Sequence, residues 1–189
     1  MNVHQAGRHE FIRAEKHKTL IIKDYRYRKI ELKRFYVTGL LYFITSVVEN
    51  REPISINENC VQILLRVLSQ YAKNYYIEII AFVVLPDHLH LLISPKSQNH
   101  TISDFMKSVK GKTAIEINRA LRRKGRLWQH QFLDHIVRSK EDYRSHIEYI
   151  HYNPIKHGLC DKPEDYRWSS YRFYDLDEDV WVLINKMPL

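Results

Sequence analysis

Between Ile77 and Ser94 the chain carries the pattern that most restricts its fold. Ile77-Glu-Ile-Ile-Ala-Phe-Val-Val-Leu85 is followed by Pro86-Asp87 and then by His88-Leu-His-Leu-Leu-Ile-Ser94. Two short apolar runs joined by Pro-Asp read as an antiparallel hairpin, buried on at least one face. The rest of the chain has to supply this hairpin with neighbouring strands and a cover.

The remaining elements follow from periodicity and punctuation. Phe35 to Val48 is rich in β-branched and aromatic residues and reads as strand, with Gly39 making a bend between two pieces. Glu49 to Pro53 is a loop. Asn57 caps a helix over 58–73, in which Val61, Leu64, Leu65, Leu68 and Tyr71 form one apolar stripe. Thr101 or Ser103 caps a helix over 102–123 that turns Phe105, Val109, Ile117 and Leu121 inward. Phe132 to Val137 is a further strand. Ser139-Lys-Glu-Asp142 has the form of a capping box and opens a helix that ends at about Asn153, where Asn-Pro stops it. The order strand, helix, hairpin, helix, strand, helix predicts an α+β fold: an antiparallel sheet with helices packed mainly on one face.

A chain of 189 residues with 44% hydrophobic residues is long enough for one domain with a proper core. The reading places that domain at 29–175, between a polar, basic arm over 1–28 and a tail over 176–189. No apolar run reaches membrane-spanning length, and the polar N-terminus does not read as a signal peptide. Cys60 and Cys160 stand apart, as cytosolic thiols rather than a disulfide or a metal motif. Thirty Lys+Arg against 22 Asp+Glu leave a net charge of +8. Such an excess favours a polyanionic partner, because phosphate neutralisation releases condensed counterions.

Chemistry concentrates in two places. His88 and His90 are i and i+2 on a strand and point to one face, while Leu89, Leu91 and Ile93 point to the other. Two imidazoles projecting from a buried sheet need partners, and a divalent cation or a phosphate supplies them. Some sixty residues on, the helical wheel of Tyr143-Arg-Ser-His-Ile-Glu-Tyr-Ile-His-Tyr-Asn-Pro154 puts Tyr143, Ile147 and Ile150 toward the core. Asp142, Ser145, His146, Tyr149 and Asn153 fall on the other side, with Tyr149 and Asn153 one above the other. His88, His90 and Asn153 are then candidate ligands for Mg²⁺ or Mn²⁺, polarising a scissile phosphate that Tyr149 attacks. Tyr152, next to the helix end, is the weaker alternative nucleophile. A phenol with a pKa of about 10 needs help at neutral pH, and His146 and Lys156 are placed to give it.

Val84-Leu-Pro-Asp-His-Leu-His-Leu-Leu92, Leu127-Trp-Gln-His-Gln-Phe132, Asp142 to Gly158 and Trp168-Ser-Ser-Tyr-Arg172 resemble, in order, the motifs of the REP-associated tyrosine transposases. These form a single-tyrosine branch of the HUH (His-hydrophobic-His) enzymes, and the likeness spans Tyr27 to Arg172. The resemblance implies a ferredoxin- or RRM-like domain. It also implies metal-dependent cleavage and rejoining of single-stranded DNA near a hairpin, through a 5′-phosphotyrosine at Tyr149 with a free 3′-OH. His88 and His90 match the HUH histidines. Asn153 stands where relatives often carry Gln, one methylene longer, and the resemblance implies a third ligand there. A cytoplasmic, nucleoid-associated bacterial protein is the corresponding expectation, monomeric or a homodimer, with the tyrosine helix working in cis or in trans.

For the DNA path, the leading track is Lys107, Lys110, Arg119, Arg122, Arg123, Lys124 and Arg126, on and after the 102–123 helix. A second comprises Arg26, Arg28, Lys33 and Arg34. Trp128 and Phe132 are assigned to the core rather than to base stacking. Two other functions fit the same residues: a catalytically idle hairpin-binding protein, and a metal-dependent RNA or DNA phosphodiester hydrolase in which water attacks.

Overall fold

The computed structural model describes residues 36–177 together with Val182 and Ile184. The expected arm over 1–28, the basic residues Arg26, Arg28, Lys33 and Arg34, and most of the tail over 176–189 lie outside the described residues. The elements are β1 (Leu41–Val47), α1 (Glu58–Asn74), β2 (Ile77–Leu85), β3 (His88–Pro95), α2 (Ile102–Ala120), β4 (Leu133–Val137), α3 (Lys140–Lys156) and the short α4 (Tyr171–Asp175). The sheet order is β2-β3-β1-β4 and every pairing is antiparallel. The β1-α1-β2-β3-α2-β4 run in this order is the ferredoxin-like arrangement, with α3 added to it.

Sequence and topology together separate the two faces of the sheet. Tyr42, Ile44, Phe82, Val84, Leu89, Leu91 and Ile93 pack with Leu64, Leu65 and Leu68 of α1 and Phe105, Met106 and Val109 of α2. The opposite face carries Ala81, Val83, Leu85 and Leu92, and there Ile150 of α3 covers them. A bulge between Ile79 and Ala81 lets Ile80 and Ala81 share that second face before alternation resumes. His88, His90 and Leu92 share parity on β3, so the histidines belong to the α3 side. Among the described residues no helix is long and apolar enough to cross a membrane.

Local signals account for most boundaries. Gly39, with φ 83°, makes the turn, so β1 starts only at Leu41. The Asn57 side chain accepts from Asn59 N–H, and Thr101 closes a full capping box with Asp104. Both cysteines are free thiols, and Trp128 and Phe132 are buried as assigned.

Two helix ends differ from expectation. α2 stops at Ala120, not at 123, because Arg122 adopts φ 51°. Arg122 N–H then reaches the Arg119 carbonyl and Arg123 N–H the Asn118 carbonyl, which is a Schellman stop without its usual glycine. α3 runs through Asn153-Pro154 to Lys156. Its stop is Gly158, φ 65°, with Gly158 N–H on the Ile155 carbonyl and Leu159 N–H on the Pro154 carbonyl. Proline in the last turn forgoes its own N–H bond, and its ring is buried.

Candidate active site

The site is assembled where β1 and β3 run side by side under α3. In register, Thr45 lies opposite His90 and Val47 opposite His88. Each imidazole is fixed through the same nitrogen. His88 Nδ1 is 2.5 Å from Asp87 Oδ1; a carboxylate can only accept, so the hydrogen sits on Nδ1. Asp87 is held in turn by Arg51, whose guanidinium donates to Oδ2 at 2.9 Å. Arg51 and Asn50 both sit at positive φ, 53° and 55°, a strained two-residue turn that presents this guanidinium. His90 Nδ1 is 2.8 Å from the Thr45 hydroxyl. His88 Nε2 is thereby left with a free lone pair, as is His90 Nε2 when the Thr45 hydroxyl accepts from Nδ1, and His90 Nε2 is buried with no partner.

Electrostatics keeps both rings neutral. Burial pushes His90 down to about 3, with the neighbouring His88 and His157 adding to the effect. Burial also lowers His88, against the opposing pull of the Asp87 carboxylate. Neutral imidazole with one pinned nitrogen is the form that ligates a cation.

α3 delivers three more groups. The Tyr149 ring meets the His90 ring edge-on at 5.2 Å between centroids, and the Lys156 ammonium lies 5.4 Å from the centre of the Tyr149 ring. Asn153 is 1% exposed, and neither its Oδ1 nor its Nδ2 has a hydrogen-bond partner. Phe43 of β1 is the shared neighbour, stacked on His90 at 5.2 Å, 4.5 Å from the His146 ring and 5.8 Å from the Tyr149 ring. Tyr152 is 54% exposed, round the helix from the sheet.

The wheel's division of α3 into a core side and an opposite site side is not what forms. Asn153 is as buried as Ile150, and His146 flanks them. The sheet beneath α3 is apolar at Leu92 and Val83 and polar at His88 and His90, so one broad helix face meets both. The sequence reading missed Arg51, Asp87, Thr45, Phe43 and His157, whose ring lies 5.3 Å from His88. Asp87, immediately before the first histidine, was the one local signal available. The others arrive through register or through the last turn of a helix.

The basic residues do not line one surface. Lys107 and Arg119 are exposed on α2, the helix that covers the face opposite the histidines. Lys110 donates to the carbonyls of Gln129 and His130 at 2.7 and 3.2 Å. Arg123 pairs with Glu52 at 2.5 Å, and Arg126 stands 3.9 Å from Glu49. Arg122, Lys124 and Arg126 are exposed in the chain leaving α2. That segment runs on to the histidine end of the sheet, where Gln129 N–H donates to the Val47 carbonyl.

The family description "Transposase IS200 like" matches residues 36–153. A REP-associated tyrosine transposase of Escherichia coli (strain K12) is 29% identical over 141 residues, 75% of this chain and 82% of that protein. A Haemophilus influenzae protein provisionally given the same name is 30% identical over 148 residues, 74% of this chain and 84% of its own length. Among solved structures, a REP-associated tyrosine transposase bound to a REP hairpin superposes with a TM-score of 0.66 at 25% identity, covering 84% of this chain and 94% of the other. The chain belongs to the IS200-like transposase family, and its function is that of a transposase enzyme.

Proposed function

We propose that this chain cleaves and rejoins single-stranded DNA beside a hairpin, with Tyr149 as nucleophile and His88, His90 and Asn153 as the seat of a divalent cation. The carrying observation is the meeting of the Tyr149 ring with His90, whose Nε2 is buried and unpartnered like the amide of Asn153. Orphaned buried polar atoms cost stability unless a ligand uses them. Two imidazole nitrogens and an amide oxygen suit Mn²⁺, with Mg²⁺ the harder alternative. When bound, the cation acts as a Lewis acid on the scissile phosphate.

In the reaction, Tyr149 Oη attacks phosphorus, the bond from phosphorus to the 3′ oxygen breaks, and a 5′-phosphotyrosine and a free 3′-OH result. The phenolic proton leaves as the attack proceeds, and the leaving oxygen acquires one. The ammonium of Lys156 favours the negative charge that develops on the phenol oxygen. Thr45 and Asp87 keep the imidazoles in their aim. Because the phosphodiester energy is retained in the tyrosyl ester, a second 3′-OH can reverse the step, which is strand transfer. Arg122, Lys124 and Arg126 form the part of the basic track that remains a candidate for the DNA path.

The test incubates hairpin-bearing single-stranded DNA with the full chain and Mn²⁺ and resolves the products on a denaturing gel. A protein–DNA adduct absent from Tyr149→Phe supports the reading. An adduct that persists in Tyr149→Phe, or cleavage with no adduct at any time, refutes it and favours hydrolysis by water.

A further inference from the structure

Across Phe43 from the His90–Tyr149 contact lies a second group of ligating side chains. His135 of β4 places Nε2 3.0 Å from Asp142 Oδ2, and His146 places Nδ1 3.0 Å from Asp142 Oδ1. All three ligating atoms lie within 4.8 Å of one another, and the two rings stack at 5.0 Å and 18°. We propose that His135, Asp142 and His146 form a second metal site, for a borderline first-row cation such as Zn²⁺, clasping β4 to the first turn of α3.

The donor set and spacing favour this ion class. Tetrahedral zinc with bonds of about 2.0–2.2 Å holds its ligand atoms roughly 3.3–3.5 Å apart. The two carboxylate–imidazole separations, one to each carboxylate oxygen, need open by only a few tenths of an ångström, and the widest ligand separation, within 4.8 Å, must close toward that value. Asp142 is a prepared anion: the Arg138 backbone N–H donates to Oδ2 at 2.9 Å, and this bond and His135 hold the carboxyl below its ordinary range. His135 is half-exposed and the other two are partly so, leaving an approach for the ion and a fourth position for water. His146 Nδ1 also donates to the Asp142 carbonyl at 2.7 Å. Binding therefore requires each imidazole to carry its hydrogen on the other ring nitrogen, and the carbonyl keeps its place in the helix ladder.

The clasp has a structural consequence. Among the described residues β4 is an edge strand paired only with β1, and four of its five residues are exposed. An ion between His135 and His146 ties that edge to the helix that carries Tyr149, at a residue whose ring also packs on Phe43.

The test is Zn²⁺ stoichiometry on the full chain after chelator treatment, by equilibrium dialysis with elemental analysis, repeated with Co²⁺ for its visible absorption. The wild type is expected to bind two ions. His135→Ala/His146→Ala and His88→Ala/His90→Ala should each bind one, and Co²⁺ in the latter should give the intense band of a tetrahedral site. Far-UV circular dichroism checks folding, and His135→Asn/His146→Gln, which keeps polarity at both positions, must lose the same ion. If the His135/His146 variants bind as many ions as the wild type, the second site is wrong. If the wild type binds one ion and only His88→Ala/His90→Ala loses it, the second site is again wrong. If the single ion is lost only with His135 and His146, the second site stands and the His88–His90 seat is what fails.

Discussion

Asn153→Leu separates a functional polar group from a structural one. Leucine has nearly the branched shape of asparagine, but it removes an oxygen and an NH₂ that are buried and unpartnered. Each unsatisfied buried group costs about 1–3 kcal/mol, so relieving two is worth roughly 2–6 kcal/mol. The larger methyl groups take back about 1–3 kcal/mol by crowding a site that is 1% exposed. A net gain of about 1–3 kcal/mol at about 2–4 °C per kcal/mol raises the Tm of the chelator-treated protein by roughly 2–12 °C. The same variant should form no phosphotyrosine adduct and should gain less Tm from Mn²⁺ than the wild type does. Differential scanning calorimetry with and without chelator, beside the adduct gel, measures both. A fall in Tm in chelator would show that the amide is a structural partner rather than an idle ligand. Adduct formation at the wild-type rate would remove Asn153 from the site.

The other predictions concern the groups around it. Phe43→Leu removes the ring shared by His90, His146 and Tyr149 and should slow adduct formation about 10- to 100-fold, since misplaced reacting groups cost that much; an unchanged single-turnover rate contradicts the packing argument. Asp87→Asn replaces the charged, acceptor-only partner of His88 Nδ1–H by a neutral amide that can turn either face to the ring, and the Mn²⁺ concentration for half-maximal adduct should rise about 10- to 100-fold. Burial depresses His90 to about 3 and His151 to about 4. A depressed imidazole contributes stability at high pH that is lost as pH falls from about 6.5 toward those values, about 2 kcal/mol each between pH 7 and pH 5. Urea melts of the metal-free protein should show the loss, and His151→Gln should remove about half of it. Arg122→Ala should lower the salt slope of single-strand binding by about 0.7, whereas Lys110→Met, whose ammonium already serves the Gln129 and His130 carbonyls, should leave the slope unchanged and cost stability.

What the chain disclosed in advance was whatever depends on neighbours in sequence. The hairpin at Ile77–Pro95, the Asn57 and Thr101 caps and the i, i+2 histidines are all local. What it withheld depends on which surfaces meet. A helical wheel ranks residues by polarity and assigns one side to the core, but α3 rests on a sheet face that is part apolar and part imidazole. Asn153 is therefore buried for the same geometric reason as Ile150. The Schellman stop at Arg122 was hidden because an arginine occupies a left-handed position that usually announces itself as glycine. Pro154 misled in the opposite sense, as a helix breaker sitting where the helix had only its last turn left to make. The basic run on α2 was read as one track, yet the sheet stands between that helix and the histidines.

The electrostatics of the site follow from where α3 ends. The last turn of a helix carries partial negative charge and favours cations, and here it brings Lys156 and His157 toward Tyr149 and His88. At the same end of the sheet stand Arg51, bound to Asp87, and the chain that follows Arg126. In the proposed reaction, a phosphodiester approaching the Tyr149 hydroxyl from this end would meet the Lys156 ammonium held by the helix terminus and, on the strained turn, the Arg51 guanidinium paired with Asp87. The positive charge on the body of α2 faces the wrong way for that approach. Basicity in this chain therefore has two separable parts, and on the proposed reaction the part near the end of α3 is the one that would act on the scissile phosphate.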